Sequence, residues 1–136
     1  MPTHLRSPDA AARDYERLLQ TYFGTDWPQF DMCYLGVGED GHTASLFPGS
    51  SALNEQTRLV VAVTAPADPT LRLTLTMPVL KKAANIYVLV SGAGKAKALR
   101  HVLAPAPDLR TYPAAAIRSA EGAVIWWVDR EAAPRH

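Results

Sequence analysis

Apolar residues recur along this chain in two rhythms, one helical and one strand-like, and the rhythms alternate from one end to the other. Between 8 and 23, Ala11, Tyr15, Leu18, Leu19 and Tyr22 fall at helical spacing, which puts them on one face of a helix. Ser7 before Pro8 reads as an N-cap with proline in the first turn, and Gly24 as a C-terminal stop. The run over 30–37 is apolar without strict alternation and ends in glycines, the pattern of a strand covered on both faces. Further strands are predicted over 59–63, 71–76, 86–91 and 123–128. A short helical turn is predicted over 42–47, a helix start over 78–84, and a helix over 93–103 with Ala96, Leu99, Val102 and Leu103 inward. Asp129 begins a short terminal helix, and the proline-rich stretch 104–113 reads as a surface connection. Strands alternating with helices predict an α/β domain built on a mainly parallel sheet.

Composition narrows the function more than the fold. The chain has 136 residues, 48% of them apolar, enough for one small domain or part of a larger one. Lysine and arginine number 14 against 13 acidic residues, a net charge of +1. That balance argues against a nucleic-acid or membrane-surface partner and leaves room for local binding of a small anion. Cys33 is the single cysteine, so no internal disulfide can form, and its apolar surroundings predict a buried, inert thiol. No apolar stretch reaches the length of a membrane span, and the opening Met-Pro-Thr-His-Leu-Arg lacks the apolar core of a signal peptide. A cytoplasmic location is the expectation.

Ligands in open α/β sheets bind beyond the carboxyl ends of the strands, so the loops after 35 and 90 are the candidates for chemistry. The first, Gly36-Val-Gly38-Glu-Asp-Gly41, fits G-x-G-x-x-G, the dinucleotide fingerprint. Glu39 and Asp40 argue against that reading, because they stand where a pyrophosphate needs backbone amides free of competing anions. The later ribose-binding acid is also missing, Glu55 being too near and not at a strand end. His42 past the glycine turn presents an imidazole with an ordinary pKa of roughly 6.5, suited to general acid–base work. Asp40, two residues earlier, can fix its tautomer or stabilise the imidazolium. Ser45 lacks the G-x-S-x-G elbow of a serine nucleophile and reads as a cap or packing residue. Glu39, Asp40 and His42 are too few and too closely spaced for a metal site, and no H-x-x-x-H or C-x-x-C pair exists. The second loop, Ser91-Gly92-Ala93-Gly94-Lys95, is an incomplete P-loop in which Lys95 either meets a phosphate or is simply solvated. Arg72, at the start of an apolar strand, lies at the rim or reaches the same anion.

These residues are recognisable together. The stretch from Phe30 through Asp40-Gly-His-Thr-Ala-Ser-Leu-Phe-Pro-Gly49 resembles the signature of the 6-phosphogluconolactonases. Arg72-Leu-Thr-Leu-Thr-Met-Pro, Val88-Leu-Val-Ser-Gly-Ala-Gly-Lys95, Pro113-Ala-Ala and Val124-Ile-Trp-Trp-Val-Asp129 resemble further blocks of that family, in the same order. The resemblance implies a Rossmann-like α/β fold with a mainly parallel sheet and flanking helices, shared with the glucosamine-6-phosphate deaminases. It implies hydrolysis of 6-phospho-D-glucono-1,5-lactone to 6-phosphogluconate in the oxidative pentose phosphate pathway, without metal or organic cofactor. It makes His42 the general base, Asp40 its support, Arg72 and Lys95 the phosphate ligands, and Gly36, Gly38 and Gly41 the loop backbone. The deaminases continue the D-G-H loop into an Asn-Glu-Pro segment; here Phe47 stands in the place of that acid, which favours the lactonase.

Residues 1–136 match the C-terminal part of such a domain, and Met1-Pro-Thr resembles an internal stretch of full-length relatives. The family's N-terminal strands, with a glycine-serine phosphate loop and an acidic segment, have no counterpart here. A parallel sheet without them exposes an edge and an apolar face, which predicts marginal stability, self-association or a separate N-terminal half as partner. Two alternatives stay open: a truncated, inactive sugar-phosphate-binding or interaction domain, and a deaminase-like enzyme.

Overall fold

A computed structural model describes residues 7–134; the opening stretch 1–6, in which no signal peptide was read, lies outside them. Helix α1 (Pro8–Phe23) starts where its cap is, with the Ala10 N–H donated to Ser7 Oγ at 3.1 Å, and stops at Gly24, whose φ of 65° suits glycine. Its buried residues are Ala11, Ala12 and Leu19, with Tyr15 and Phe23 packed beside them. Leu18 and Tyr22, placed inward by spacing alone, are exposed. The inward stripe is narrower than the apolar one because α1 rests on a pair of strands and on no second layer.

Those strands are β2 (Val60–Thr64) and β3 (Leu71–Leu75), paired antiparallel. The connection between them is too short for the crossover that parallel strands need, roughly a dozen residues. They therefore form a separate two-stranded sheet. The Glu16 carboxylate of α1 fastens it: Oε2 accepts from the Leu59 N–H at 2.8 Å and the Val60 N–H at 3.2 Å, and pairs with Arg58 Nε at 3.0 Å. Leu59 and Val60 are fully buried, so no water can replace that acceptor. Glu16→Ala is expected to cost about 2–4 kcal/mol by stranding two buried donors, and Glu16→Gln less; urea unfolding of the two variants checks this.

The main sheet is parallel, in the order β1 (Cys33–Gly36), β4 (Asn85–Val90), β5 (Ala123–Val128). Between these strands run α2 (Met77–Lys81), α3 (Ala96–Val102) and a 3₁₀ segment at Pro113–Ser119. Leu35, Ile86, Val88 and Val90 point to the covered face, against Leu80, Leu99, Val102 and Ile117. On α3 the inward residues are Ala98, Leu99 and Val102; Leu103 is at the rim.

The opposite face is open. Register sets Tyr34, Tyr87 and Ile125 in one row and Gly36, Leu89 and Trp127 in the next. Tyr34 is 63% exposed, Trp127 60%, Leu89 53% and Ile125 44%. Strand β1 is thus covered on one face only, and it is an edge strand. Cys33, expected to be buried, is half-buried there, and burial pushes its thiol pKa up. Two expected helices are not formed. Over 42–47 the chain turns back on itself, with Ala44 at φ 50° and Leu46 N–H donated to Thr43 O at 3.0 Å. After Asp129 a single turn forms, capped by its carboxylate on the Ala132 N–H at 2.8 Å. Among the described residues no helix is long and apolar enough to cross a membrane.

Candidate active site

The loop leaving β1 is closed by its own backbone. Gly38 N–H donates to His42 O and Gly41 N–H to Gly38 O, both at 2.9 Å. Asp40 Oδ1 accepts from the His42 N–H at 3.0 Å and meets His42 Nδ1 at 2.6 Å. With Nδ1–H donated to the carboxylate, an assignment drawn from this contact, Nε2 carries the lone pair. Gly38 has to be glycine: a Cβ there would overlap the His42 ring and the Asp40 carboxylate. Gly41 has a φ of 87° and lies against Tyr112. Gly36, grouped with them by sequence, is the last residue of β1, and a side chain there would make only ordinary contact with Leu89 O at 4.0 Å. Its contribution is its carbonyl, which accepts from the buried Thr43 hydroxyl at 2.9 Å and anchors the loop to the strand.

Burial raises the Asp40 carboxyl, but the His42 N–H, ring and charge together outweigh it and hold the pKa below the ordinary carboxylate value. A depressed pKa means a contribution to loop order that is complete above the ordinary value, about 3.9, and lost as pH falls through the lower folded value. The Asp40–His42 contact is therefore expected to survive below pH ~4, read by NMR titration of the Asp40 carboxyl carbon.

Phe47 packs on the imidazole, its ring centroid 4.8 Å from that of His42. Arg72 also lies over this ring, Cζ 5.6 Å from its centroid. Its Nε and Nη2 donate to Pro69 O and Ala67 O at 2.9 and 3.2 Å. A guanidinium has five N–H donors, so further donors remain for an anion. The structure thus brings Arg72 to His42 through Phe47. Lys95 stands beyond the end of the neighbouring strand β4, at the junction of a 3₁₀ turn and α3. The two loops touch where the Glu39 carboxylate lies against Gly94. Ser45 is tied by its backbone N–H to Thr74 Oγ1 at 3.2 Å, a packing role as expected. Among the described residues no three His, Cys, Asp or Glu side chains gather as a metal site requires.

The family model of glucosamine-6-phosphate isomerases/6-phosphogluconolactonase matches residues 1–126 of this sequence. The chain belongs to that family. It is 41% identical over 135 residues to a 6-phosphogluconolactonase of Synechocystis, covering 97% of this chain and 55% of that protein. With the 6-phosphogluconolactonase of Rattus norvegicus it shares 42% over 125 residues, 90% of this chain and 48% of the relative. The chain therefore spans about half the length of the curated relatives it matches. Among solved structures, 6-phosphogluconolactonase from Leishmania guyanensis superposes with a TM-score of 0.80 at 33% identity, over 90% of this chain and 51% of the other. A monomeric glucosamine-6-phosphate deaminase superposes with a TM-score of 0.72 at 26% identity, over 95% and 55%. The Rossmann-like fold with its parallel sheet and flanking helices, expected from the sequence, is that of the family.

Asp129, read from sequence only as a helix start, joins the ends of β4 and β5 in this family member. Its carboxylate accepts from Ser91 Oγ at 2.5 Å and from the Gly92 N–H at 3.0 Å. The Ser91 hydroxyl and then the backbone N–H donors hold its pKa below the ordinary value. This fixes the loop that carries Lys95. An acid just past a strand was the available signal; that it binds the loop of the adjacent strand depends on the register of β4 and β5.

Proposed function

We propose that residues 1–136 form the C-terminal, base-bearing part of a 6-phosphogluconolactonase, and that the reaction is hydrolysis of 6-phospho-D-glucono-1,5-lactone to 6-phosphogluconate. The Asp40–His42 contact at 2.6 Å carries this reading, because it leaves Nε2 as a lone pair at the end of a strand. In the proposed mechanism Nε2 removes a proton from a water molecule as its oxygen attacks the lactone carbonyl carbon. The imidazolium, stabilised by Asp40, then gives that proton to the ring oxygen as the C–O bond breaks. Arg72 and Lys95 hold the phosphate away from the reacting carbon and supply binding energy there. No cofactor enters the scheme, since water and an imidazole suffice.

Phe47 favours this reaction over deamination. It places an apolar ring against His42 where the deaminases carry an acid, so the histidine has one carboxylate partner, Asp40. Acid release from the lactone, followed in a pH-stat above the spontaneous rate, tests the assignment. Ammonia release from glucosamine 6-phosphate in its place would select the deaminase.

The open sheet face belongs to the same reading. A parallel sheet is ordinarily covered on both faces, and here the face with the row Tyr34, Tyr87, Ile125 and the row Gly36, Leu89, Trp127 is without cover among the described residues. The occupant we assign is polypeptide equivalent to the other half of the relatives' length, adding a strand at the edge of β1 and helices over these rows. Without it, copies of the chain associate through this face.

A further inference from the structure

The connection between α3 and the 3₁₀ segment at Pro113–Ser119 grips the His42 loop at both ends. Ala114 N–H donates to Gly41 O and Gly49 N–H donates to Arg110 O, both at 3.0 Å. The connection is itself a fixed turn. Asp108 Oδ1 accepts from the Arg110 N–H at 2.9 Å, Oδ2 from Thr111 Oγ1 at 2.6 Å, and Asp108 O from the Tyr112 N–H at 2.8 Å. At its end Tyr112 packs closely on Gly41, where an added Cβ would fall 2.6 Å from Tyr112 Cδ1 and 3.2 Å from its Cα. The Tyr112 ring also stacks on His101, with centroids 4.5 Å apart and planes 9° from parallel. His101 is in the last turn of α3, the helix whose first turn follows Lys95. Turn, ring and helix are thus in contact in series.

We infer that Tyr112, backed by His101, is a positioning residue that holds the Gly41 turn and through it the Asp40–His42 pair. Gly41 is the residue between the two partners, so a shift of its peptide changes their separation directly. Tyr112 can come this close only because Gly41 has no side chain, since a Cβ there would meet Tyr112 Cδ1, Cα and Cβ. The stack adds a second consequence: α3 cannot move without moving the turn, which ties the loop of Lys95 to the base. The inference rests on His42 as the base for its bearing on catalysis, and its test does not require turnover.

The Asp40 carboxyl carbon and the His42 ring are followed by NMR over pH in the wild-type chain, Tyr112→Ala, Tyr112→Phe and His101→Ala. In Tyr112→Ala the Asp40 midpoint is expected to rise toward the ordinary carboxylate value, about 3.9, with the amide spectrum of the sheet unchanged. His101→Ala is expected to move it the same way by less, and Tyr112→Phe to leave it in place, since the ring and not the hydroxyl makes the contact. A folded Tyr112→Ala with the wild-type Asp40 midpoint overturns the inference. Should that variant not fold, Tyr112→Leu serves instead: it keeps apolar bulk without the ring that stacks on His101, and a wild-type midpoint in it is equally decisive. Where hydrolysis is measurable, Tyr112→Ala is expected to lower kcat by up to about 10²-fold with KM unchanged. Loss through KM alone would contradict a role in aligning the base. A chain without hydrolytic activity would count against the lactonase reading and leave the titration intact.

Discussion

His42→Ala is expected to abolish the hydrolysis of 6-phospho-D-glucono-1,5-lactone that we propose for this chain, a fall of about 10²–10⁴-fold toward the spontaneous rate. The size follows from what is lost. Without Nε2 the attacking water must give up its proton unaided, and the departing ring oxygen must leave without one. Folding is expected to be preserved, because the loop is closed by Gly38, Gly41 and Thr43 and not by the imidazole. Asp40→Asn is expected to fall between: an amide can accept from the His42 N–H, yet it no longer stabilises the imidazolium. Initial rates by pH-stat, with the spontaneous opening subtracted, measure all three proteins. Equal rates for wild type and His42→Ala would sink the catalytic assignment. If wild type has no rate of its own but still binds 6-phosphogluconate by calorimetry, the chain is a sugar-phosphate-binding domain.

The second large effect concerns the uncovered face. The wild-type chain is expected to sediment as a dimer or larger species, and Ile125→Glu with Trp127→Glu to shift it toward monomer. Both side chains lie on one stretch of β5 and are 44% and 60% exposed, so charge there does not enter the core. Burying large apolar side chains contributes roughly 1.5–3 kcal/mol each. Losing two of them weakens association on the order of 10²-fold or more. Sedimentation velocity over a concentration series reads this directly. A wild-type chain that is monodisperse, monomeric and cooperatively unfolding would show that the face needs no cover.

Patterning along the chain foretold every strand to within a few residues, and the capped helix α1 at both ends. These are local matters: side-chain period, a serine cap, a glycine stop. The Asp40–His42 pair was also legible, since the two are two residues apart and their contact is made within one turn. Period misled where it was silent about neighbours. Leu18 and Tyr22 have the spacing of a buried face and are exposed, because no element among the described residues lies over them. The apolar run over 30–37 has the composition of a doubly covered strand and is covered once. The 42–47 stretch has no helix-breaking signal before Pro48, but the Thr43 hydroxyl, bonded back to Gly36 O, turns the chain aside.

Other features are decided only by distance in space between residues far apart in sequence. Glu16 reaches Leu59 and Val60 more than forty residues on. Asp129 binds Ser91 and Gly92 because β4 and β5 are register neighbours. Tyr112 meets Gly41 although 104–113 read as a plain surface connection. The amino-acid sequence by itself thus determined the strands, helix α1, the family resemblance and the Asp40–His42 pair, all of which depend on residues close in the chain. The tertiary structure decided how Arg72 and His42 both pack on Phe47, what grips the His42 loop, and which sheet face is left open. Those depend on packing between elements, and packing has no signature in the period of a single one.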